Sequence, residues 1–316
     1  MAMPPGTRWD AYDRQSVSGA CVPDVCRISG CCEMSVAFLW AAPAPLVLAP
    51  TVGLHSPGGT PCGAGAEPRG TLVPVPFEST QPVVPGDRVH LVPGSHNVRD
   101  LGGLRTRSGR TVRTGRVYRS DYPSFLEVDA TAIARFGLAT VVDLRRGTEA
   151  AEECIDWGGR GVAYRRWPLT AGRESSWHAR YTSYLTRRPE TVVGAVREVM
   201  RPAAHTVLFH CAAGKDRTGV LAALLLAVLG VGEDDIVADY LLSAASVEPV
   251  IARLVEMEMY AGMLADSSVD EQLPRAEHMH LLLRWLERHG GAEAWLVEHG
   301  VPAGELTDFR DVMLER

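Results

Sequence analysis

The 316-residue chain has almost no lysine: 31 of its 32 basic residues are arginine, Lys215 is the single lysine, and Asn97 is the single asparagine. It also lacks an excess of positive charge. The formal net charge of -6 argues against the basic face that general nucleic-acid binding requires, so any affinity for anions has to be local. Cysteine is scarce as well: Cys21, Cys26, Cys31, Cys32 and Cys62 crowd the first fifth, leaving only Cys154 and Cys211 beyond it. That distribution argues against a disulfide scaffold and for a reducing, cytoplasmic setting. The C-x4-C-x4-C-C spacing of Cys21 to Cys32 lacks the paired C-x2-C knuckle of structural zinc sites, and neither a metal nor another cofactor is expected. Long apolar runs are missing too. Ser35 to Leu54 is apolar, but it has no basic flank and is broken by Pro43, Pro45 and Pro50, which argues against a membrane span and leaves secretion as the weaker alternative.

Residues 1–85 are rich in Pro, Gly, Ala and Cys and show no helical or strand period, so a disordered or poorly ordered extension is expected there. Residues 86–316 then form one domain. With 46% hydrophobic and 22% charged residues, the chain is long enough to bury a core of that size. From Val89 short strands alternate with helices, the rhythm of an α/β fold with a central, largely parallel sheet. Val112 to Arg119 reads as a strand after a turn at Ser108-Gly109, and the arginines from Arg105 to Arg119 as a solvated hairpin face rather than a second anion site. A helix is expected from Asp129, as cap, to Phe136, ended by Gly137. Leu138 to Leu144 is a β-branched apolar run, which fits a buried parallel strand, and Val162 to Trp167 is a further strand candidate. Pro189 to Met200 is a helix opened by proline. Helical pattern returns from Gly232 to Leu264, Ala276 to His289 and Ala292 to Glu298.

The segment that carries chemistry is His210-Cys211-Ala212-Ala213-Gly214-Lys215-Asp216-Arg217-Thr218-Gly219, set between the apolar strand Thr206 to Phe209 and the apolar helix Thr218 to Leu229. Small residues at a helix N-terminus can aim successive backbone N–H groups at one anion, and the helix dipole adds to the attraction. Residues 212–217 thus form a phosphate cradle. The same field favours a thiolate at Cys211, the form that acts as a nucleophile. Arg217, six residues on, can hold two phosphate oxygens with its planar fork and stabilise charge in the transition state. Thr218 can donate its hydroxyl to the sulfur as leaving group, and His210 reads as support for Cys211. The bland alternative, an inert buried cysteine, disagrees with the strand, small-residue loop and helix around it.

The segment resembles the signature H-C-x5-R-[S/T] of the cysteine-based protein tyrosine phosphatases, and most of all the bacterial tyrosine-protein phosphatases with the loop form H-C-x-A-G-K-D-R-T-G. Four further motifs share the resemblance: Asn97-Val98-Arg99-Asp100-Leu101-Gly102-Gly103, Tyr118-Arg119-Ser120-Asp121, Val141-Val142-Asp143-Leu144-Arg145 and Asp239-Tyr240-Leu241-Leu242-Ser243. It spans about residues 90–316. The resemblance implies a cysteine-phosphatase fold, with a helical lid insertion at about 246–274, and hydrolysis through a phosphocysteine intermediate.

It leaves the general acid open. Trp167-Pro168 is followed by Leu169, where many tyrosine phosphatases carry the acidic residue. The resemblance carries the role to Asp143, at the C-terminal end of its strand, where ligands of parallel sheets bind. Asp216 is the alternative, and an ion pair of Asp143 with Arg145 or Arg146 the structural one. Arg99 and Asp100 either fix the loop or shape the Gly102-Gly103 turn, with the second favoured. The expected partner is a phosphotyrosine protein or, because Lys215 resembles the A-G-K loop of lipid phosphatases, a phosphoinositide. A non-catalytic phospho-binding module is the rival of another class.

Overall fold

The computed structural model describes Arg88 and residues 94–315, apart from Ala130, residues 202–205 and Asp266. The extension expected over residues 1–85, with its cysteines and its apolar stretch, lies outside the described residues.

The chain enters through β1 (Arg99–Asp100) and β2 (Val117–Ser120), then the short helices α1 (Phe125–Val128) and α2 (Ala132–Phe136). Next come β3 (Thr140–Asp143), α3 (Gly147–Glu152), β4 (Ala163–Arg166), α4 (Trp177–Arg187) and α5 (Pro189–Met200). β5 (Val207–His210) leads directly to α6 (Asp216–Val228). α7 (Glu233–Leu241) and a 3-10 turn at Leu242–Ser246 precede α8 (Val247–Leu254), α9 (Glu258–Leu264) and α10 (Val269–Gln272). The last helices are α11 (Ala276–Arg288), α12 (Gly291–Glu298) and α13 (Ala303–Met313).

The sheet order is β1-β2-β5-β3-β4, with β1 antiparallel and the rest parallel. Successive side chains of a strand point to opposite faces, and both faces are covered. On one face Val117, Val142, Val207 and Phe209 pack with α4, α5, α6 and the C-terminal helices; on the other Tyr118, Val141 and Leu208 pack with Phe125, Phe136 and Trp157. Val141 and Val142 of β3 and Val207 to Phe209 of β5 are covered on both faces, which is why these stretches are apolar runs without polar alternation. Val220 to Leu226 of α6 are all buried, as expected of a helix apolar on every side. This central placement holds the β5–α6 junction rigidly.

Three expectations are corrected. The strand expected over Val112 to Arg119 shrinks to Val117–Ser120, because Thr111 and Val112 bridge to Arg105 and Leu314 instead and Gly115 turns the chain at φ 72°. The helix expected from Asp129 starts at Ala132; Asp129 accepts hydrogen bonds from Thr131 N and Oγ1, one turn before the helix. Gly137, in the left-handed region at φ 62°, does end it. Arg119 belongs to no solvated face: it is fully buried.

Candidate active site

The loop joining β5 to α6 is shaped by what happens to its carbonyls. Ala212 O accepts from Tyr122 N at 3.2 Å and Arg253 Nη2 at 2.7 Å, Ala213 O from Asn97 Nδ2 at 3.0 Å, and Gly214 O from Arg119 Nη2 at 2.8 Å. With three consecutive carbonyls engaged from outside, the amides of the turn are left for the concave side. Gly214 sits at φ 66°, where side chains are disfavoured, and a Cβ there would come within 2.6 Å of the Ser120 carbonyl carbon. Only glycine lets β2 approach the loop this closely.

Beneath the loop one carboxylate serves three arginines. Asp239 Oδ1 accepts from Arg88 at 2.7 Å and Arg99 at 3.2 Å, while Oδ2 accepts from Arg119 at 2.6 Å. Burial would raise the Asp239 carboxyl, but the three guanidinium charges hold it well below the usual range. Burial and the neighbouring Arg119 charge bring Arg99 down to about 9. Arg99 also reaches Asn97, the Asp239 carbonyl and Ser243, so it supports the loop at one remove through Asn97. Asp100 does what the turn reading expected: it accepts from Gly102 N at 2.7 Å and Gly115 N at 2.6 Å. Burial pushes its carboxyl up to about 6, against those two bonds.

Cys211 lies at the bottom of the cradle, buried, and Thr218 Oγ1 has no hydrogen-bond partner among the described residues. His210 is paired in register with Asp143 on β3 and Ser120 on β2; its Nδ1 lies 3.3 Å from Cys211 O. Burial lowers the imidazole to about 4, so it is neutral near pH 7.

Arg217 turns toward α3. Its Nη1 and Nη2 donate to Glu149 Oε2 and Oε1 at 2.9 and 2.7 Å, and Tyr260 Oη of α9 lies 3.4 Å from Nη2 while bonding the same carboxylate. Burial would raise Glu149, yet the Arg217 charge and hydrogen bonds, with Tyr260, hold it at about 2. Glu149 escaped the sequence reading, and a glutamate 68 residues before the arginine gives no local signal.

The two candidate acids differ sharply. Asp143 is fully buried and bound through Arg145 N at 2.8 Å, Arg145 Nη2 at 2.9 Å and Tyr164 Oη at 2.8 Å. Burial would raise it, but the charges of His210, when protonated, and Arg145 hold it well below the usual carboxylate range. The ion-pair alternative with Arg145 therefore describes its surroundings, and it does not line the cavity. Asp216 does line it, accepting from Tyr181 Oη at 2.6 Å. Lys215 borders the cavity but is buried, 4.5 Å over the Trp177 ring and 3.6 Å from Asp216 Oδ1, with its ammonium donating to Gln272 O.

The cavity above Cys211 measures about 1130 Å³ and is walled by the loop, the segment 169–175, α4 and helices α8 to α10. Ala212 packs with Val250, Leu254, Met257 and Tyr260, so the helices from the expected lid region rest on the loop itself. Leu169 adds an apolar side chain to the wall. Among the described residues no group of His, Cys, Asp and Glu could hold a metal ion, and no helix is long and apolar enough to cross a membrane.

Residues 90–315 match the model of the tyrosine phosphatase family. The chain belongs to that family. It is 38% identical over 163 residues to a Cupriavidus necator protein named for tyrosine-protein phosphatase activity, covering 46% of this chain and 59% of that one. It is 32% identical over 208 residues to the triple specificity protein phosphatase PtpB of Mycobacterium tuberculosis, with 54% and 74% covered. A tyrosine-protein phosphatase of Nostoc commune is 28% identical over 213 residues, with 61% and 72% covered. The chain thus spans more than half, but not all, of each relative's length.

Proposed function

We propose that this chain hydrolyses phosphate monoesters, phosphotyrosine first among them, through a phosphocysteine on Cys211. The observation that carries the reading is the outward engagement of the Ala212, Ala213 and Gly214 carbonyls, which frees the loop's N–H groups beside the buried Cys211 and the half-buried Arg217. In the first step Cys211 Sγ forms a bond to phosphorus as the bond to the leaving oxygen breaks, and Asp216 gives that oxygen a proton. In the second, water attacks phosphorus, Asp216 takes its proton, and the sulfur leaves while accepting a hydrogen bond from Thr218 Oγ1. Residues 212–217 bind the phosphoryl oxygens, with Arg217 adding charge-assisted donors that strengthen as charge spreads to them. Glu149 holds the guanidinium in place. Asp216 is preferred to Asp143 because it borders the cavity, whereas Asp143 is kept ionised by a buried partner. His210, Arg99 and Asp100 act as scaffold.

A second reading extends the substrate class to phosphoinositides. Besides the loop, the cavity is bordered by Arg146, Arg173, Arg180 and Arg187, a set suited to more than one anionic group. The triple specificity in the PtpB name accords with a broad range. The site calls for no cofactor in either case. Release of inorganic phosphate from a phosphotyrosine peptide and from a phosphoinositide, with acid-quench trapping of the phosphocysteine, tests both. Binding without turnover would leave a phospho-binding module and sink the catalytic reading.

A further inference from the structure

Asp216 is the first residue of α6, and its two oxygens live in different surroundings. Oδ1 accepts a hydrogen bond from Tyr181 Oη at 2.6 Å. Oδ2 has no hydrogen-bond partner among the described residues, on a side chain that borders the cavity. Tyr181, on α4, is fully buried, and its hydroxyl is also 2.7 Å from Tyr240 Oη on α7. A phenol has one proton, so when Tyr181 donates to the carboxylate, Tyr240 must donate to Tyr181. The result is a directed chain, Tyr240 to Tyr181 to Asp216 Oδ1.

We propose that Tyr181 is the positioning residue for the acid of the reaction: by occupying Oδ1 it confines the transferable proton to Oδ2, the oxygen open to the leaving group. The inference rests on the reading of Asp216 as general acid. Burial, then the Asp216 charge, keeps the Tyr181 phenol well above its ordinary range, so it stays a donor in both steps. It donates to a neutral carboxyl before proton transfer and to a carboxylate afterwards, and the second bond is the stronger. Tyr181 thereby eases release of the proton as well as aiming it. The edge-on Tyr240 ring at 6.1 Å and the stacked Tyr184 ring at 6.5 Å hold the Tyr181 ring in place. Other titratable or charged groups facing Asp216 are Lys215 on its own loop, Tyr184 and Tyr240 from the packed helices, and His278 from α11.

The test uses the full chain with Tyr181→Phe, Tyr240→Phe, Asp216→Asn and the Tyr181→Phe/Asp216→Asn double variant, on aryl phosphates of graded leaving-group pKa. Tyr181→Phe should lower kcat on phenyl phosphate about 10-fold while leaving KM within about 2-fold. It should also move the basic limb of the kcat profile upward by about one pH unit, because an acid whose anion has lost a donor holds its proton longer. Tyr240→Phe, which disturbs the same packing but leaves the Tyr181 bond to Asp216, should shift the limb less. In the double variant removal of the tyrosine hydroxyl should add nothing. If Asp216→Asn retains turnover of phenyl phosphate, the general-acid reading fails. If Asp216→Asn behaves as an acid knockout but Tyr181→Phe leaves limb and leaving-group slope unmoved, only the positioning role fails.

Discussion

Arg217 meets Glu149 end to end, with Nη1 and Nη2 at 2.9 and 2.7 Å from the two carboxylate oxygens. The pair fixes the plane in which the guanidinium approaches the loop. Glu149→Gln keeps the shape but loses the charge and one acceptor, so kcat/KM should fall by about 10- to 100-fold. The pair also makes a pH prediction. The folded-state value near 2 lies below the ordinary 4.5, so the unfolded state binds the extra proton and the pair's stabilisation is present above about pH 4.5. It is lost as pH falls toward 2. Melting curves should show the gap between wild type and Glu149→Gln widest above pH 4.5 and narrowing below it; a gap independent of pH would mean that the pair contributes no linkage.

Cys211→Ser should abolish turnover yet still bind inorganic phosphate, since the cradle consists of backbone and Arg217 while the hydroxyl lacks thiolate reactivity. Turnover within tenfold of wild type would remove Cys211 from the nucleophile's role.

Asp216→Asn and Asp143→Asn should separate chemistry from stability. The first should slow phenyl phosphate by about 100-fold and activated aryl phosphates much less, at little cost in folding. The second deprives Arg145 of its nearest buried partner, although Glu153 remains at 3.2 Å, and should destabilise by about 3 kcal/mol, read from denaturant midpoints. Leaving-group dependence in Asp143→Asn instead would reassign the acid.

Gly214→Ala forces a methyl group toward the Ser120 carbonyl from a left-handed backbone conformation. We expect a loss of about 2 kcal/mol or more and at least about 100-fold in kcat/KM, because relief of the clash has to move β2 or the loop. Unchanged phosphate affinity would show that the loop tolerates the shift.

Lys215→Ala should reduce turnover of a phosphoinositide about tenfold more than that of a phosphotyrosine peptide, if a second phosphate draws the ammonium away from Gln272 O. Equal losses on the two substrates would limit Lys215 to holding α10 against the loop.

The phosphate loop, the strand before it and the buried helix after it were legible in the sequence because their signals are contiguous: apolar runs, small residues at a turn, and a cysteine and arginine at fixed spacing. The largely parallel sheet was legible for a similar reason, since its central strands β3 and β5, covered on both faces, carry contiguous apolar runs. What the chain order could not express was which charges meet. Glu149 reaches Arg217 across 68 residues, and Asp239 gathers Arg119 from 120 and Arg88 from 151 residues away. Motif position favoured Asp143 over Asp216 as the acid, and left Arg119 on a solvated face. Only closure of the sheet enclosed Asp143 beside Arg145, set Asp216 on the cavity wall and drew Lys215 onto Trp177. The physical reason is that a side chain's ionisation and reach depend on burial and on long-range partners, which exist only once distant segments have packed.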